Sequence, residues 1–261
     1  MKLGISLVVY NEPQKRLLDF LKDLENVLEG TEYQIIIYQN SLIDYNLPKD
    51  VLLFGDGVNI GFGSGHNYNY NYFLKNNYSH IIISNTDIKF CTNFELLFTY
   101  RKNISITCPL ILDEKLSQQK MVRSLPNIVD KIKSFVFGGF PFYKIIEKDD
   151  EFVVPSFSGC FFAINIENFK TLKENTLFDE KYFLYEEDTD LSRRMWNHKS
   201  AKLIPKVKII HSQEKGSKKS IILFNLHLKS LFIYFNKWGY FDHASKESKN
   251  YLNRIILSNK N

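Results

Sequence analysis

Short apolar runs alternate with amphipathic stretches through the first part of the chain, and this alternation limits the fold more than any other feature. Gly4 to Tyr10 is almost continuously apolar, Tyr33 to Gln39 carries three consecutive isoleucines, and Val51 to Phe54 and His80 to Ser84 are shorter runs of the same kind. Runs of this length without polar alternation suit strands covered on both faces. Between them, Lys15 to Leu28 sets Leu17, Leu18, Leu21, Leu24 and Leu28 on one helical face. His66 to Asn77 predicts a second helix, although its Asn-Tyr repeats favour helices weakly. Strand and helix in alternation predict an α/β fold: a Rossmann-like, mostly parallel central sheet flanked by helices.

After Pro109 the rhythm loosens. Cys160 to Asn165 predicts a further strand, a helix begins near Glu187, and Ala201 to Ile204 and Val207 to His211 predict two more strands. Ile221 to Tyr240 is apolar and aromatic, broken by His227, Lys229 and Lys237, and predicts a C-terminal helical appendage. With no internal repeat and no long linker, residues 1–261 are expected to form one domain. Its expected parts are a first half over 1–110, a second over 111–215, and C-terminal loop and helices over 216–261.

Composition excludes several classes. A net charge of +5 suits an anionic ligand or membrane surface and does not indicate nucleic acid, and no aromatic-plus-basic RNA-binding pattern occurs. Cys91, Cys108 and Cys160 lie far apart, which argues against zinc, redox pairs and a disulfide framework and points to a reducing, cytoplasmic setting. The first apolar run is too short for a signal peptide, and no uncharged run of about 18 residues offers a membrane span.

Four stretches carry candidate chemistry. Glu186, Glu187, Asp188 and Asp190 crowd into five residues, with Arg193 and Arg194 close behind. Asp190 and Arg194 are spaced to pair on a helix, and Glu187 and Asp188 would stand at its N-terminus, where the dipole favours an ionised carboxylate. Such a carboxylate suits a general base for a sugar hydroxyl. Asn59-Ile-Gly-Phe-Gly-Ser-Gly-His-Asn67 is a glycine-rich stretch, through which a backbone approaches a phosphate or base closely. Asp87 ends the His80 run, with Asn85 beside it, at a strand end where a divalent metal could meet a diphosphate. His211 opens a loop with Gly216, Lys215, Lys218 and Lys219, suited to closing over a diphosphate.

Taken in order, these pieces resemble a known family. Tyr10-Asn11 comes first, then the glycine stretch, then Asn85-Thr86-Asp87 and Ser158-Gly159-Cys160-Phe161. Phe178-Asp179-Glu180, Tyr182-Phe-Leu-Tyr-Glu-Glu-Asp-Thr-Asp-Leu191 and His211 complete the set. The chain resembles the inverting family 2 glycosyltransferases of the GT-A fold, most of all bacterial rhamnosyltransferases of O-antigen and capsule assembly. The resemblance runs over nearly the whole chain, into the tail Lys229-Ser-Leu-Phe-Ile-Tyr-Phe-Asn-Lys-Trp-Gly239. It implies a nucleotide diphosphate sugar donor, a lipid-linked saccharide acceptor and a divalent cation, Mg²⁺ or Mn²⁺. Residues 1–110 become the nucleotide-sugar half and 111–215 the acceptor and catalytic half. Asp188 becomes the general base with Glu187 beside it, and Asp87 and His211 the metal or diphosphate contacts. Tyr10, Asn11, Asn59, Gly61, Gly63, Gly65, Asn67, Asn85, Lys218 and Lys219 become donor-binding residues.

Two positions depart from that pattern. Gln39 stands where the family carries an aspartate that reads the pyrimidine; its amide both donates and accepts. The metal motif keeps a single carboxylate. The implied donor is dTDP-L-rhamnose, with a UDP-hexose as the second reading. The departures also fit a donor-binding subunit without activity. The tail is basic and aromatic, and Phe135 to Tyr143 adds a second aromatic patch, which fits a peripheral contact with the cytoplasmic face of the inner membrane, unless the tail packs as core.

Overall fold

The computed structural model describes residues 1–137, 143, 150–212 and 221–258. Nine strands form one sheet: β1 (Leu3–Val9), β2 (Tyr33–Gln39), β3 (Val51–Phe54), β4 (His80–Ser84), β5 (Ile88–Phe90), β6 (Ile106–Leu112), β7 (Phe152–Val153), β8 (Phe161–Asn165) and β9 (Ala201–His211). The helices are α1 (Gln14–Val27), α2 (Phe62–Lys75), α3 (Ile128–Phe137), α4 (Ile166–Thr171), α5 (Glu187–His198), α6 (Ile221–Trp238) and α7 (His243–Ser258).

The order across the sheet is β3-β2-β1-β4-β8-β6-β9-β5, with β7 on β9. Strands β1, β2, β3, β4, β6 and β9 run one way, and β5, β7 and β8 run against them. The expected α/β architecture is therefore present: a mostly parallel sheet flanked by helices, with helices at the C-terminal end. Its core strands are buried because both faces are covered, as the unbroken isoleucine runs require.

The structure departs from the sequence reading in four places. β6 spans the division drawn at 110/111, so the two halves share a strand. The two short strands expected near the C-terminal end are one, β9; its pairing with β6 shifts register between Pro109 and Leu110, which absorbs the Pro205-Lys206 interruption. On α1 the expected face is buried at Leu17, Leu21 and Leu24, and at Leu28 just beyond it, but Leu18 is exposed and Phe20 takes its place. Helix α2 begins at Phe62 and not at His66, which places Gly63 and Gly65 inside the helix.

Packing explains that early start. A side chain on Gly65 would reach within 2.9 Å of Val8, and one on Gly63 within 2.9 Å of Phe178. The glycines let α2 lie directly on the sheet. Its weak helix formers are fixed by tertiary contacts: Asn69 Nδ2 donates to Ser6 Oγ at 3.0 Å and to the Leu7 carbonyl at 3.1 Å, while Tyr70 and Phe73 are buried.

Candidate active site

The acidic segment folds as a strained turn leading into a helix. Tyr185 and Glu186 both adopt left-handed backbone conformations (φ 69° and 62°), which cost non-glycine residues on the order of 1–3 kcal/mol each. Helix α6 holds this turn. Ser230 donates to the Leu184 carbonyl at 2.7 Å, His227 Nε2 reaches Glu186 at 3.0 Å, and the His227 and Tyr185 rings lie 5.0 Å apart. From α3, Lys131 pairs with the same Glu186 oxygen at 2.6 Å. Burial opposes ionisation of Glu186, but Lys131 and His227 outweigh it and hold its pKa below the usual carboxylate range.

Asp190, fully buried, anchors the other side. It accepts from Arg194 at 3.1 Å, Trp238 Nε1 at 2.8 Å and Tyr182 at 3.4 Å, and pairs with Lys237 at 2.8 Å. The Asp190–Arg194 spacing in the sequence is thus an ion pair. Asp190 and Glu186 are structural carboxylates, and three of their partners, His227, Lys237 and Trp238, come from the C-terminal appendage.

That leaves Glu187 and Asp188 at the mouth of α5. Glu187 is buried with Oε2 unpartnered; burial and the neighbouring Asp188 and Glu186 charges push its pKa well up, so it favours the protonated form. Asp188 is half-buried, and its Oδ2 accepts the Gly159 N–H at 3.1 Å. A side chain on Gly159 would approach Asp188 Cβ to 3.1 Å, so the Ser158-Gly159 backbone lies against this carboxylate.

Ser158 also lines a cavity of about 1030 Å³ that contains Asp87 and His211. The β5–β9 pairing sets Ile88 opposite His211 and brings His211 Nε2 to 3.3 Å from Asp87 Oδ2. Burial works against the imidazolium, but hydrogen bonds with Asp87 and Cys160 outweigh it and push the His211 pKa up to about 10. Gln119 Oε1 accepts from His211 Nδ1 across 3.4 Å, and Gln119 Nε2 donates to the His211 carbonyl at 2.6 Å. Asp87 Oδ1 is buried without a partner. One carboxylate with a spare oxygen and one imidazole, which would give up its proton on binding, fit two positions of a divalent cation's shell, the others being open to diphosphate oxygens and water. Among the described residues, no group of three or more His, Cys, Asp or Glu side chains converges as a self-sufficient metal site.

A second corner forms where β1 and β2 end. Asn11, at φ 49°, donates its N–H to Ser41 Oγ at 2.8 Å, and Tyr10 stands exposed beside it. Gln39 Nε2 donates to the Gly55 carbonyl at 3.3 Å, leaving its buried Oε1 unpartnered. Asn40, to which the sequence reading gave no role, clamps the glycine stretch: it accepts from Ile60 at 3.0 Å and donates to the Gly61 carbonyl at 3.1 Å. Asn59 Oδ1 accepts the Gly61 N–H at 3.0 Å. Gly61 itself has φ 91°, and a side chain there would strike the Phe183 carbonyl at 2.4 Å.

The other sequence candidates have different surroundings. Asn67 is buried and spends its amide on the Phe178 carbonyl at 2.8 Å and Glu180 at 3.0 Å, while its oxygen takes the Phe178 N–H at 2.8 Å. Gly63 and Gly65 face Phe178 and Val8. Asn85 donates its backbone N–H to the Cys160 carbonyl at 2.8 Å, joining β4 to the start of β8. Lys218 and Lys219 lie outside the described residues, as does most of the aromatic patch after Phe137. Helix α6 buries Tyr234 and Phe235 and leaves Ile221, Ile222, Leu228 and Phe232 exposed, so the tail is core on one face only.

No protein-family model matches the sequence, and no curated protein matches it. Among solved structures, the chain is similar to a mycobacterial protein, with TM-score 0.52 and 6% identity over 93% of this chain and 76% of that one. It is also similar to S. aureus TarS, with TM-score 0.49 and 10% identity over 82% of this chain and 37% of that one. A third similar structure is a Drosophila β-1,4-galactosyltransferase 7 in complex with manganese, UDP-Gal and xylobiose, with TM-score 0.47 and 13% identity over 84% of this chain and 74% of that one. At these identities the likeness concerns fold alone, and the mycobacterial structure shares it along nearly the whole chain.

Proposed function

We propose that the chain is an inverting glycosyltransferase of the GT-A type, moving L-rhamnose from dTDP-L-rhamnose to a hydroxyl of a lipid-linked saccharide in bacterial surface polysaccharide synthesis. One observation carries the reading. Asp188 stands half-buried at a helix mouth, held by the Gly159 N–H, while the adjacent Ser158 lines the cavity that holds the Asp87–His211 pair. The proposed base thus stands one backbone contact away from the space that holds the charge-binding pair.

The roles follow from chemistry. Asp188 takes the acceptor hydroxyl proton as that oxygen attacks the anomeric carbon from the face opposite the nucleotide. Glu187, kept protonated by burial, offers a hydrogen bond beside it. Asp87 and His211 would hold a divalent cation, whose charge would balance the departing diphosphate. The unpartnered Gln39 Oε1 suits the imide N–H of thymine or uracil, because its Nε2 is already committed to Gly55.

Exposed Ile132 and Phe135 of α3 join exposed Ile221, Ile222, Leu228 and Phe232 of α6 through a Phe135–Phe224 ring contact of 5.8 Å. This apolar face supports a peripheral contact with the cytoplasmic side of the inner membrane, where a lipid-linked acceptor would be met. No helix among the described residues is long and apolar enough to cross a membrane.

Release of nucleoside diphosphate from a panel of sugar nucleotides tests the reading. Turnover is expected to be fastest with dTDP-L-rhamnose, and a UDP-hexose leading the panel would move the donor assignment. Binding without any turnover, with acceptor present, would make the chain a donor-binding subunit. No binding across the panel would end the glycosyl-transfer reading.

A further inference from the structure

Arg123 lies between β6 and α3, on a backbone pinned from both sides. The carbonyl of buried Val122 accepts the Tyr143 N–H at 2.9 Å, and buried Leu125 donates its N–H to Ser248 Oγ at 3.0 Å. The guanidinium is half-buried, yet among the described residues it makes no hydrogen bond or ion pair. The other arginines that are not exposed each hold a carboxylate: Arg16 with Glu12, Arg101 with Glu151, Arg193 with Asp242, and Arg194 with Asp190 and Glu174. A guanidinium partly withdrawn from water has five donors to satisfy, and leaving them unmatched is costly.

Its position shows what could match them. Arg123 lines the large cavity with Asp87, His211 and Ser158, and also a small adjoining one with Ser156, Lys131 and Thr189. Ser158 precedes the glycine that binds Asp188, and Thr189 follows Asp188 in the chain. Arg123 therefore shares one cavity with the charge-binding pair and lies beside Ser158 and Thr189, the neighbours of the Gly159–Asp188 contact. Lys89 and Lys115 line the same large cavity, as do the carboxylates of Asp19, Asp23, Asp113 and Glu114, so its charge is mixed and Arg123 is the half-buried cation beside Ser158.

We propose that Arg123 binds the diphosphate of the nucleotide sugar and stabilises it as a leaving group. The inference rests on the glycosyl-transfer reading above. As the acceptor oxygen bonds to the anomeric carbon and its proton passes to Asp188, the bond from that carbon to the diphosphate oxygen breaks. Its electron pair stays on the diphosphate. A planar guanidinium fork meets two phosphate oxygens at once and gains strength as that charge grows. Asp87 is the carboxylate paired with His211, and an arginine would supply charge that a cation position with one such ligand lacks.

The test titrates the purified full chain with dTDP and UDP, in chelator and in Mn²⁺, for wild type, Arg123→Lys and Arg123→Gln, with thermal melts to check folding. Arg123→Gln is expected to weaken dTDP or UDP binding about 10- to 100-fold in chelator, the range of a lost charge-assisted pair, and to lower kcat. Arg123→Lys should fall between, since it keeps the charge and loses the fork. Equal affinity in wild type and Arg123→Gln overturns the inference. So does unchanged nucleotide affinity with a raised KM for a diphosphate-linked acceptor, which would assign the guanidinium to the acceptor's diphosphate. A wild type that binds neither nucleotide under either condition fails earlier, at the glycosyl-transfer reading itself, and takes the inference with it.

Discussion

Gly159 donates its backbone N–H to Asp188 Oδ2 at 3.1 Å, and the space where a Gly159 side chain would stand is closed by Asp188 Cβ, also at 3.1 Å. The pair locks the proposed base against a bend just before β8. Asp188→Asn keeps this contact and loses the basic oxygen, so transfer should fall about 10²- to 10⁴-fold with donor affinity unchanged. Gly159→Ala keeps the base and shifts it by a few tenths of an ångström, which should cost roughly 10-fold in kcat. Single-turnover transfer and donor titration check both; wild-type turnover in Asp188→Asn would move the base role to Glu187.

Asp87 carries a buried oxygen without a partner and faces His211. Excess chelator is expected to abolish transfer, Mn²⁺ or Mg²⁺ to restore it, and Asp87→Ala to raise the cation concentration needed at least 10-fold, the loss of one charged ligand. Full activity in chelator would make the Asp87–His211 pair a structural ion pair.

Asn67 joins α2 to the backbone of Phe178 through both ends of its amide. Asn67→Ala would strand a buried N–H and a buried carbonyl, at about 1–3 kcal/mol. Urea unfolding should show that loss with donor affinity little changed. Weakened donor binding at unchanged stability would instead make Asn67 a pocket residue.

His66 is fully buried, with Ser6 Oγ at 2.7 Å from Nδ1 and no partner at Nε2, and burial lowers its pKa to about 3. The unfolded chain binds a proton near pH 6.5 that the folded chain refuses. Stability is therefore full above that value and falls as pH drops from about 6.5 towards 3. From pH 7 to pH 5 this group alone should remove about 2 kcal/mol. His66→Gln should flatten the dependence over that range, as measured by denaturant midpoints at each pH. An unchanged slope would show that His66 does not carry it.

The exposed face of α3 and α6 predicts salt-resistant sedimentation with anionic vesicles. Paired substitutions Ile222→Ser and Phe232→Ser should release the protein from the vesicles without lowering its melting temperature, because both side chains already face solvent. A wild type that stays in the supernatant at low and high salt removes the membrane contact.

Much of this fold is written locally. The runs that became β2 and β4 were legible because residues buried on both faces must be apolar at nearly every position, and the half-buried edge strand β3 shares that apolar run. The start of α5 and the Asp190–Arg194 pair were legible because helical spacing is a property of neighbours. Periodicity reports which face is buried and not what lies against it, so other features had no local signal. Gly63 and Gly65 read as a loop and are helix, because only the position of Val8 and Phe178 shows why side chains are excluded there. β6 was not anticipated, since its polar Thr107 and the Ser105 before it are buried only by partners elsewhere in the chain. The sequence by itself determined an α/β sheet and the carboxylates that could act. Tertiary structure decided which of them are spent: α3 and α6 neutralise Glu186, α6 and Arg194 neutralise Asp190, and Asp188 is left with Gly159, whose neighbour Ser158 lines the cavity. Charge alone cannot rank four neighbouring carboxylates; burial and the distance to the nearest cation can.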